Sequence, residues 1–406
     1  MARLVRARRL WLAIHRWLGV GLGAMFVLIG LTGSVIVFGH AIDAWLNPGL
    51  FTPRGAGAPR PLAEIIASAR ARVPEATDRV DVAMPGVDYE VFVIYLYERE
   101  HPGSRMRSTQ VMVDPVFAEV LGSRKTGTNL TALIYRLHYT LLLEDIFAVR
   151  ELGMYAVGVA GVLLITSAGT GVYLWWPRWR QLGQAVGLKR HGGAKRLNFD
   201  LHRAGGFWSS VVLLVLAFSG FYMIFPEWVR PLVGVVARTE RPPRDLASVP
   251  IDGATPITPD RAVALAFARL SEGTPTWVDR GAQATAAYRV WFRRPGAVRR
   301  VYGDTQVWID QWSGEVLRVR DSRTLPAGEA FLHWQFPLHS GEAFGLPGRL
   351  IVFFSGLAPG LLAVTGTLIW WRKRRARRRM RRREGAPVPW HAGSERHRAG
   401  ERELTG

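Results

Sequence analysis

Four long uncharged stretches divide the sequence into alternating apolar and polar parts. They cover residues 17–38, 152–176, 204–225 and 350–371, and each has at least 22 consecutive residues without Asp, Glu, Lys or Arg. Since about 20 apolar residues in a helix cross the hydrocarbon core of a bilayer, each stretch predicts a transmembrane helix. The first is too long for the apolar core of a signal peptide and predicts a retained anchor.

The polar segments that follow spans one and three show a different pattern. Each contains one helix-like run, residues 61–73 and 258–270, followed by alternating strand-like stretches. They predict two small α+β modules, each with a helix on a short antiparallel sheet. In both, an Asp precedes a Glu by five residues around a turn, at 114–119 and at 310–315. Neither has a nucleophile–base pair, a metal-spaced His/Cys cluster or a phosphate-binding loop, so we expect binding or covering domains.

The spans themselves are repeated. "HRWLGVGLG" opens span one and "HRAGGFW" opens span three, and in both a hydroxyl residue and a Gly follow, with that Gly 18 positions beyond the His. Spans two and four each follow a Leu-His and end in Thr-Gly with Trp-Trp five positions later. We therefore expect two parallel repeats, related by an axis along the membrane normal.

The net charge of +21 is concentrated at the ends of the spans. Residues 1–16, 177–203 and 372–384 hold 22 basic and two acidic residues, and so carry +20 of that charge. The positive-inside rule then places both termini and the middle loop in the cytoplasm, and it explains the basic residues without a nucleic-acid partner. The absence of cysteine excludes disulfides, thiolate-ligated haem and iron–sulfur clusters.

These observations predict a membrane α-helical protein with four transmembrane helices in two parallel repeats. The predicted order is a cytoplasmic N-terminus (1–16), span one (17–38), module one (39–151), span two (152–176), a cytoplasmic loop (177–203), span three (204–225), module two (226–349), span four (350–371) and a basic cytoplasmic tail (372–406).

Four histidines occupy matching places in the two repeats. His15 and His202 begin spans one and three at the cytoplasmic interface, and His138 and His339 precede spans two and four at the outer interface. Ionisable groups at membrane depth are costly and mark ion, proton or cofactor pathways, and a neutral imidazole ligates haem iron. Two symmetric pairs thus favour metal or haem ligation over four separate headgroup anchors. The length of a helical span also places Gly33 and Gly220 near the outer pair and Gly171 and Gly366 near the inner pair. Gly19 and Gly206, one turn after His15 and His202, are expected to let a flat porphyrin approach the backbone.

One further histidine competes for the outer site. His333 lies 23 residues beyond Asp310, much as His138 lies 24 beyond Asp114, but the Leu-His at 339 leads directly into span four, which favours His339. The other five histidines are weaker candidates: His40 has no counterpart, and the rest lie in a module or in basic and polar tracts, at 101, 191, 391 and 397.

In its order and spacing of motifs the chain resembles the PepSY-associated transmembrane proteins, also called iron-regulated or iron-uptake membrane proteins. "HRWLGVGLG", "LHYTLLL", "DLHRAGGFW", "PLHSGEAFGLPGR" and both Trp-Trp span ends carry the resemblance over roughly residues 10–375. It implies a bacterial inner-membrane protein with two periplasmic PepSY modules and, as in some members, two b-type haems that pass electrons to ferric siderophores. The implied haem ligands are His15, His138, His202 and His339.

The function expected from these features is electron transfer through two haem b groups to a periplasmic ferric siderophore or other ferric chelate. The cytoplasmic segments are too short for a flavin or nicotinamide domain, so we expect a separate reductase or a membrane quinol as electron donor. Two alternatives stay open: a non-enzymatic sensor or protease-regulating protein, and a siderophore permease. The lack of charge within the spans counts against the permease.

Overall fold

The computed structural model describes residues 2–384 except 78, 87–88, 100–105, 148, 177–182, 184–185, 189–191, 242, 244–245 and 282. In chain order its principal helices are α1 (Ala2–Gly21), α2 (Gly23–Ile36), α3 (Gly39–Leu46), α4 (Pro48–Phe51), α5 (Leu62–Arg72), α6 (Leu130–Thr140), α7 (Leu143–Phe147), α8 (Arg150–Trp175), α9 (Gly193–Ile224), α10 (Pro226–Val236), α11 (Pro259–Leu270), α12 (Ala327–Ser340) and α13 (Gly345–Glu384). The strands are β1 (Val80–Ala83), β2 (Phe92–Glu98), β3 (Arg107–Val113), β4 (Val120–Lys125), β5 (Thr274–Arg280), β6 (Tyr288–Arg293), β7 (Thr305–Ile309) and β8 (Val316–Arg320).

The long helices form a bundle suited to a membrane. α8, α9 and α13 are each long and apolar enough to cross a bilayer, and α1 with α2 makes a fourth span if the two parts act together. These two parts meet at a 62° bend at Leu22, among Gly19, Gly21 and Gly23. Glycine lacks a side chain that restrains the backbone, so a cluster of glycines weakens a helix at that point. The predicted span at 17–38 is therefore bent rather than continuous.

Two helices continue beyond the uncharged stretches. α9 begins at Gly193, inside the predicted loop at 177–203, and α13 runs to Glu384, inside the predicted tail at 372–406. Arg and Lys have high helix propensity, so the loss of hydrophobicity at the membrane surface does not end a helix. Hydropathy thus marks the apolar part of each span but not the ends of its helix.

Small residues bring the helices of the bundle close together. A Cβ on Gly30 of α2 would collide with the carbonyl of Gly356 in α13, and at the same crossing the Ser34 hydroxyl donates to the Phe353 carbonyl at 2.7 Å. Small residues and interhelical hydrogen bonds are the usual means of packing helices in lipid.

The two modules share one antiparallel sheet of eight strands, in the order β4-β3-β2-β1-β5-β6-β7-β8. The first strands of the modules pair directly, with Val82 of β1 opposite Val278 of β5. Pairing removes two exposed strand edges, which would otherwise present unsatisfied backbone groups. α5 and α11 lie on one face, where Ile65, Ala69, Ala262 and Ala266 join a single buried core with the strands.

The repeated Asp and Glu build hairpin turns. Asp114 Oδ1 accepts the backbone N–H groups of Val116 and Phe117 at 2.8 and 2.9 Å, at the turn between β3 and β4. Asp310 makes the same contacts, at the same distances, at the turn between β7 and β8. The repeated spacing therefore marks a structural turn in each module.

After each module a helix returns the chain to the bundle. α6 packs against α2 and α8, and α12 packs against α9. Both end in a left-handed residue, Leu141 with φ 53° and Gly341 with φ 78°, which turns the chain towards the next long helix. These two helices carry His138 and His339 into the bundle.

Candidate functional site

The first histidine pair joins the two halves of the chain at one end of the bundle. His15 lies on α1 and His202 on α9, and their ring centroids are 6.3 Å apart with the ring planes at 73°. The His15 ring also contacts α8, and the His202 ring contacts α13. At this end of the bundle, four helices thus converge on the pair: α1, α8, α9 and α13.

The second pair repeats the arrangement at the other end. His138 of α6 and His339 of α12 have ring centroids 6.3 Å apart and ring planes at 62°. His339 contacts α9 at Leu216, which is 14 residues beyond His202, or about 21 Å along the helix axis. The two pairs are therefore separated by most of the thickness of a hydrocarbon core.

Hydrogen bonds determine which ring nitrogen carries the proton. In three rings Nδ1 lies 2.9–3.0 Å from a backbone carbonyl: His15 at Ser167, His138 at Ile29 and His339 at Leu216. Because a carbonyl only accepts, Nδ1 must be the donor, and each neutral ring keeps a lone pair on Nε2.

The fourth ring reaches the same state through a hydroxyl group. His202 Nδ1 lies 2.9 Å from Thr365 Oγ1, and that hydroxyl already donates to the Leu361 carbonyl at 2.6 Å. The hydroxyl proton is therefore occupied, and Nδ1 of His202 must donate. All four histidines present an Nε2 lone pair, the form that binds a metal.

Each ring also rests against a glycine of a neighbouring helix. A Cβ built on that glycine would lie 2.9–3.1 Å from the Cε1 atom of the ring, so the ring would have to shift to accommodate a side chain there. The four contacts are Gly171 with His15, Gly366 with His202, Gly33 with His138, and Gly220 with His339. These are the glycines predicted to lie near the two pairs, whereas a Cβ built on Gly19 would have no neighbour within 4 Å.

The hydroxyl residue before each of these glycines has a role that the sequence did not reveal. Thr32, Thr170, Ser219 and Thr365 each place Oγ within 2.9–3.3 Å of the Nδ1 atom of the adjacent histidine. The repeated pairing of a hydroxyl residue with glycine was the available signal: one residue orients the ring and the next gives it room.

His333 lies outside both pairs. Its Nε2 is 3.4 Å from Asp304 Oδ2, next to the β6–β7 loop. Burial alone raises the pKa of Asp304, but hydrogen bonds from His333 and Ser322 outweigh burial and lower the pKa. The structure thus pairs His339, not His333, with His138.

Of the remaining histidines the structure describes His40, which lies outside both pairs. His40 is exposed and its ring meets Tyr89 edge-on at 5.4 Å. Positions 101, 191, 391 and 397 lie outside the described residues.

The chemistry of the two pairs fits a metal that receives its other ligands from elsewhere. Two imidazoles that each hold a shared ion through a bond of about 2 Å have centroids about 6 Å apart. In the described part of the chain, no group of three or more His, Cys, Asp or Glu residues could hold a metal ion. Two imidazoles at this separation suit an ion that sits in a planar macrocycle, because such an ion would need only two ligands from the protein.

No curated protein sequence matches the chain. The family model of the PepSY-associated TM region matches residues 12–373, a stretch that contains both histidine pairs and both modules. The resemblance inferred from the motifs is thereby confirmed at the level of the family. The chain belongs to the PepSY-associated transmembrane family, and it is a multi-pass membrane protein.

Proposed function

We propose that the protein carries single electrons across a bacterial inner membrane through two haem b groups, one at each histidine pair. The observation that carries this proposal is the matched geometry of the pairs, with equal centroid separations of 6.3 Å and an Nε2 lone pair on every ring. Four unrelated anchoring histidines would have no reason to form two equivalent pairs across the halves of the chain.

The residues around each pair are suited to holding a fixed ligand set. Nδ1–H donation to a carbonyl or hydroxyl orients the imidazole and raises the basicity of Nε2. The glycine against each ring admits the imidazole close to a neighbouring backbone without a side chain in between. Haem, when bound, would supply the one-electron chemistry, while the two histidine pairs would hold its iron and the protein would provide spacing and a dry surrounding.

The direction we propose is from the cytoplasmic side to the periplasm. His15 and His202 would serve the inner haem and His138 and His339 the outer haem, with both termini in the cytoplasm as the basic segments favour. The electron donor would be a separate reductase or a membrane quinol. The acceptor would be a ferric siderophore or other ferric chelate, reduced so that iron leaves as the weakly held ferrous ion.

A purified, haem-replete preparation tests the proposal. We expect a reversible low-spin spectrum and two haems per chain by pyridine extraction. Dithionite-reduced protein should be reoxidised by a ferric chelate, and His138→Ala should lose this reaction while His202→Ala keeps it. Protein without haem, after expression with ample iron and haem precursor, would overturn the proposal and favour a regulatory PepSY protein. Equal reoxidation of wild type and His138→Ala would overturn the assigned exit.

A further inference from the structure

Four arginines in the described residues have a buried Nε atom with no hydrogen-bond partner: Arg16, Arg203, Arg294 and Arg299. Two of them are neutralised by carboxylates. Arg203 pairs with Asp200 at 3.1 Å, and Arg294 pairs with Asp321 at 2.8 Å and with Glu272. Among the described residues, Arg16 and Arg299 have no carboxylate oxygen within ion-pair distance.

The internal repeat shows why Arg16 differs from Arg203. Both arginines directly follow a histidine of the first pair, but the residue two positions before that histidine is Asp200 in one half and Ala13 in the other. Asp200 is fully buried and also pairs with Arg196 at 3.1 Å. The second half thus contains its own counter-ion, whereas the first half leaves a cation beside His15.

Arg299 has the same character at the second pair. It lies in the loop between β6 and β7, with its guanidinium 4.8 Å from the ring centre of Phe336 and 5.9 Å from that of Trp291. Phe336 is three residues before His339 on α12, and so lies near it on the helix surface. The Val301 N–H donates to Glu342 Oε2 at 3.2 Å, which ties the same loop to the segment just after α12.

A partly buried guanidinium favours an anionic partner, because an uncompensated charge at membrane depth is costly, and the described residues place no carboxylate within ion-pair distance of Arg16 or Arg299. Haem b carries two carboxylate side chains, which are equally costly to bury without a cation. This reasoning rests on the proposed function. We propose that Arg16 binds a carboxylate of the haem at the first pair, and Arg299 binds a carboxylate of the haem at the second pair.

A phosphate of a lipid headgroup has the same chemistry and is the competing source of the anion. The buried Nε atoms favour the haem carboxylates, since these N–H groups are enclosed by the chain rather than exposed to lipid. The two sources differ in one testable way. Haem dimethyl ester lacks the carboxylates but retains the iron and the macrocycle.

The test measures transfer of haem from the full-length holoprotein to excess apomyoglobin, with each site followed by its own spectral component. Arg16→Gln should speed the loss of haem from the first pair, which is the spectral component that His202→Ala removes. Arg299→Gln should speed the loss of haem from the second pair, which is the component that His339→Ala removes. Each rate should rise about tenfold or more. Arg16→Lys should recover part of the effect. The matched controls are Arg9→Gln, exposed on α1, and Arg261→Gln, exposed on α11, and neither should change the rates.

Reloading the protein with haem dimethyl ester distinguishes the two sources of the anion. The central measurement uses wild-type protein, so it does not depend on whether a variant folds. Wild type should lose the ester as fast as Arg16→Gln loses haem, and the substitution should have no further effect on the ester. An Arg16→Gln effect that persists with the ester and scales with anionic lipid in nanodiscs would assign the contact to a headgroup and overturn the inference. Rates for Arg16→Gln equal to those of wild type and Arg9→Gln would also overturn it. Absence of haem from wild type would instead overturn the proposed function, and this inference with it.

Discussion

At the scale of the residue, each candidate ligand depends on a hydroxyl residue and on the glycine that follows it, both of which lie on another helix. A hydroxyl group and a carbonyl one turn apart hold Nδ1, as Thr32 and Ile29 do for His138. The following glycine, Gly33, accommodates the ring edge. Substitutions at any of these positions should therefore affect one histidine pair and leave the other intact.

The pairing of the histidines predicts two classes of alanine variant. His15→Ala and His202→Ala should each remove the same haem spectral component, because the loss of one axial ligand disables that site alone. His138→Ala and His339→Ala should remove the complementary component, as recorded by difference spectra. His333→Ala is the control and should retain both. The assignment is wrong if His333→Ala behaves like His138→Ala while His339→Ala has no effect.

A single added methyl group should distinguish the role of the glycines. A Cβ on Gly366 would lie 2.9 Å from Cε1 of His202, whereas a Cβ on Gly360 of the same helix has nothing within 4 Å. Gly366→Ala should displace the imidazole and weaken haem binding at the first pair about tenfold, or ~1.4 kcal/mol. Gly360→Ala should bind haem like wild type in the same titration. Equal affinities for the two variants would show that the ring has room to move.

At the scale of the element, one helix depends on the other module for its N-terminal cap. α5 follows Pro61 and has no side-chain cap of its own. Asp260, in the first turn of α11, accepts the backbone N–H groups of Leu62 and Ala63 at 2.6 and 2.9 Å. One carboxylate therefore lies at the N-termini of both helices, where the helix dipoles favour negative charge. This contact joins the modules in addition to the pairing of β1 with β5.

Removal of this shared cap should loosen the start of α5. Asp260→Ala should cost about 1 kcal/mol and speed hydrogen exchange of the Leu62 and Ala63 amides roughly fivefold. Asp252→Ala removes an exposed carboxylate from the same module and should leave these amides unchanged. If exchange at Leu62 and Ala63 is equal in both variants, the cap contributes no local stability.

At the scale of the whole molecule, each half of the chain orients its own histidines, and each pair takes one histidine from each half. His15 bonds to α8 and His138 to α2 in the first half, while His202 bonds to α13 and His339 to α9 in the second. A half chain would thus hold two single imidazoles and no pair. The joined sheet and the bundle together keep the halves in register.

The orientation in the membrane can be tested because the chain contains no cysteine. Ala254→Cys lies in an exposed part of module two and Ser394→Cys in the basic tail. In cells whose inner membrane is intact, a membrane-impermeant maleimide should label Ala254→Cys. It should label Ser394→Cys only after the cells are lysed. This follows from the excess of basic residues beside the span ends at 1–16, 177–203 and 372–384. The reverse pattern of labelling would reverse the proposed direction of electron flow.

The sequence by itself determined the features that depend on local pattern. Uncharged length located the spans, alternation located the strand-like segments, and equal spacing from histidine to glycine revealed the repeat. It also placed Gly33, Gly171, Gly220 and Gly366 near the correct histidines, because a helical span of known length sets which residues share a level in the membrane.

Only the tertiary structure decided which groups meet across different parts of the chain. His339 was preferred to His333 on the sequence, but the two differ by six positions on one helix, α12, and the packing of that helix determines which ring faces His138. The pairing of β1 with β5 and the cap that Asp260 forms on α5 are likewise contacts between segments far apart in sequence. Local periodicity reports the shape of an element, whereas these contacts depend on how separate elements pack, which no short stretch of sequence encodes.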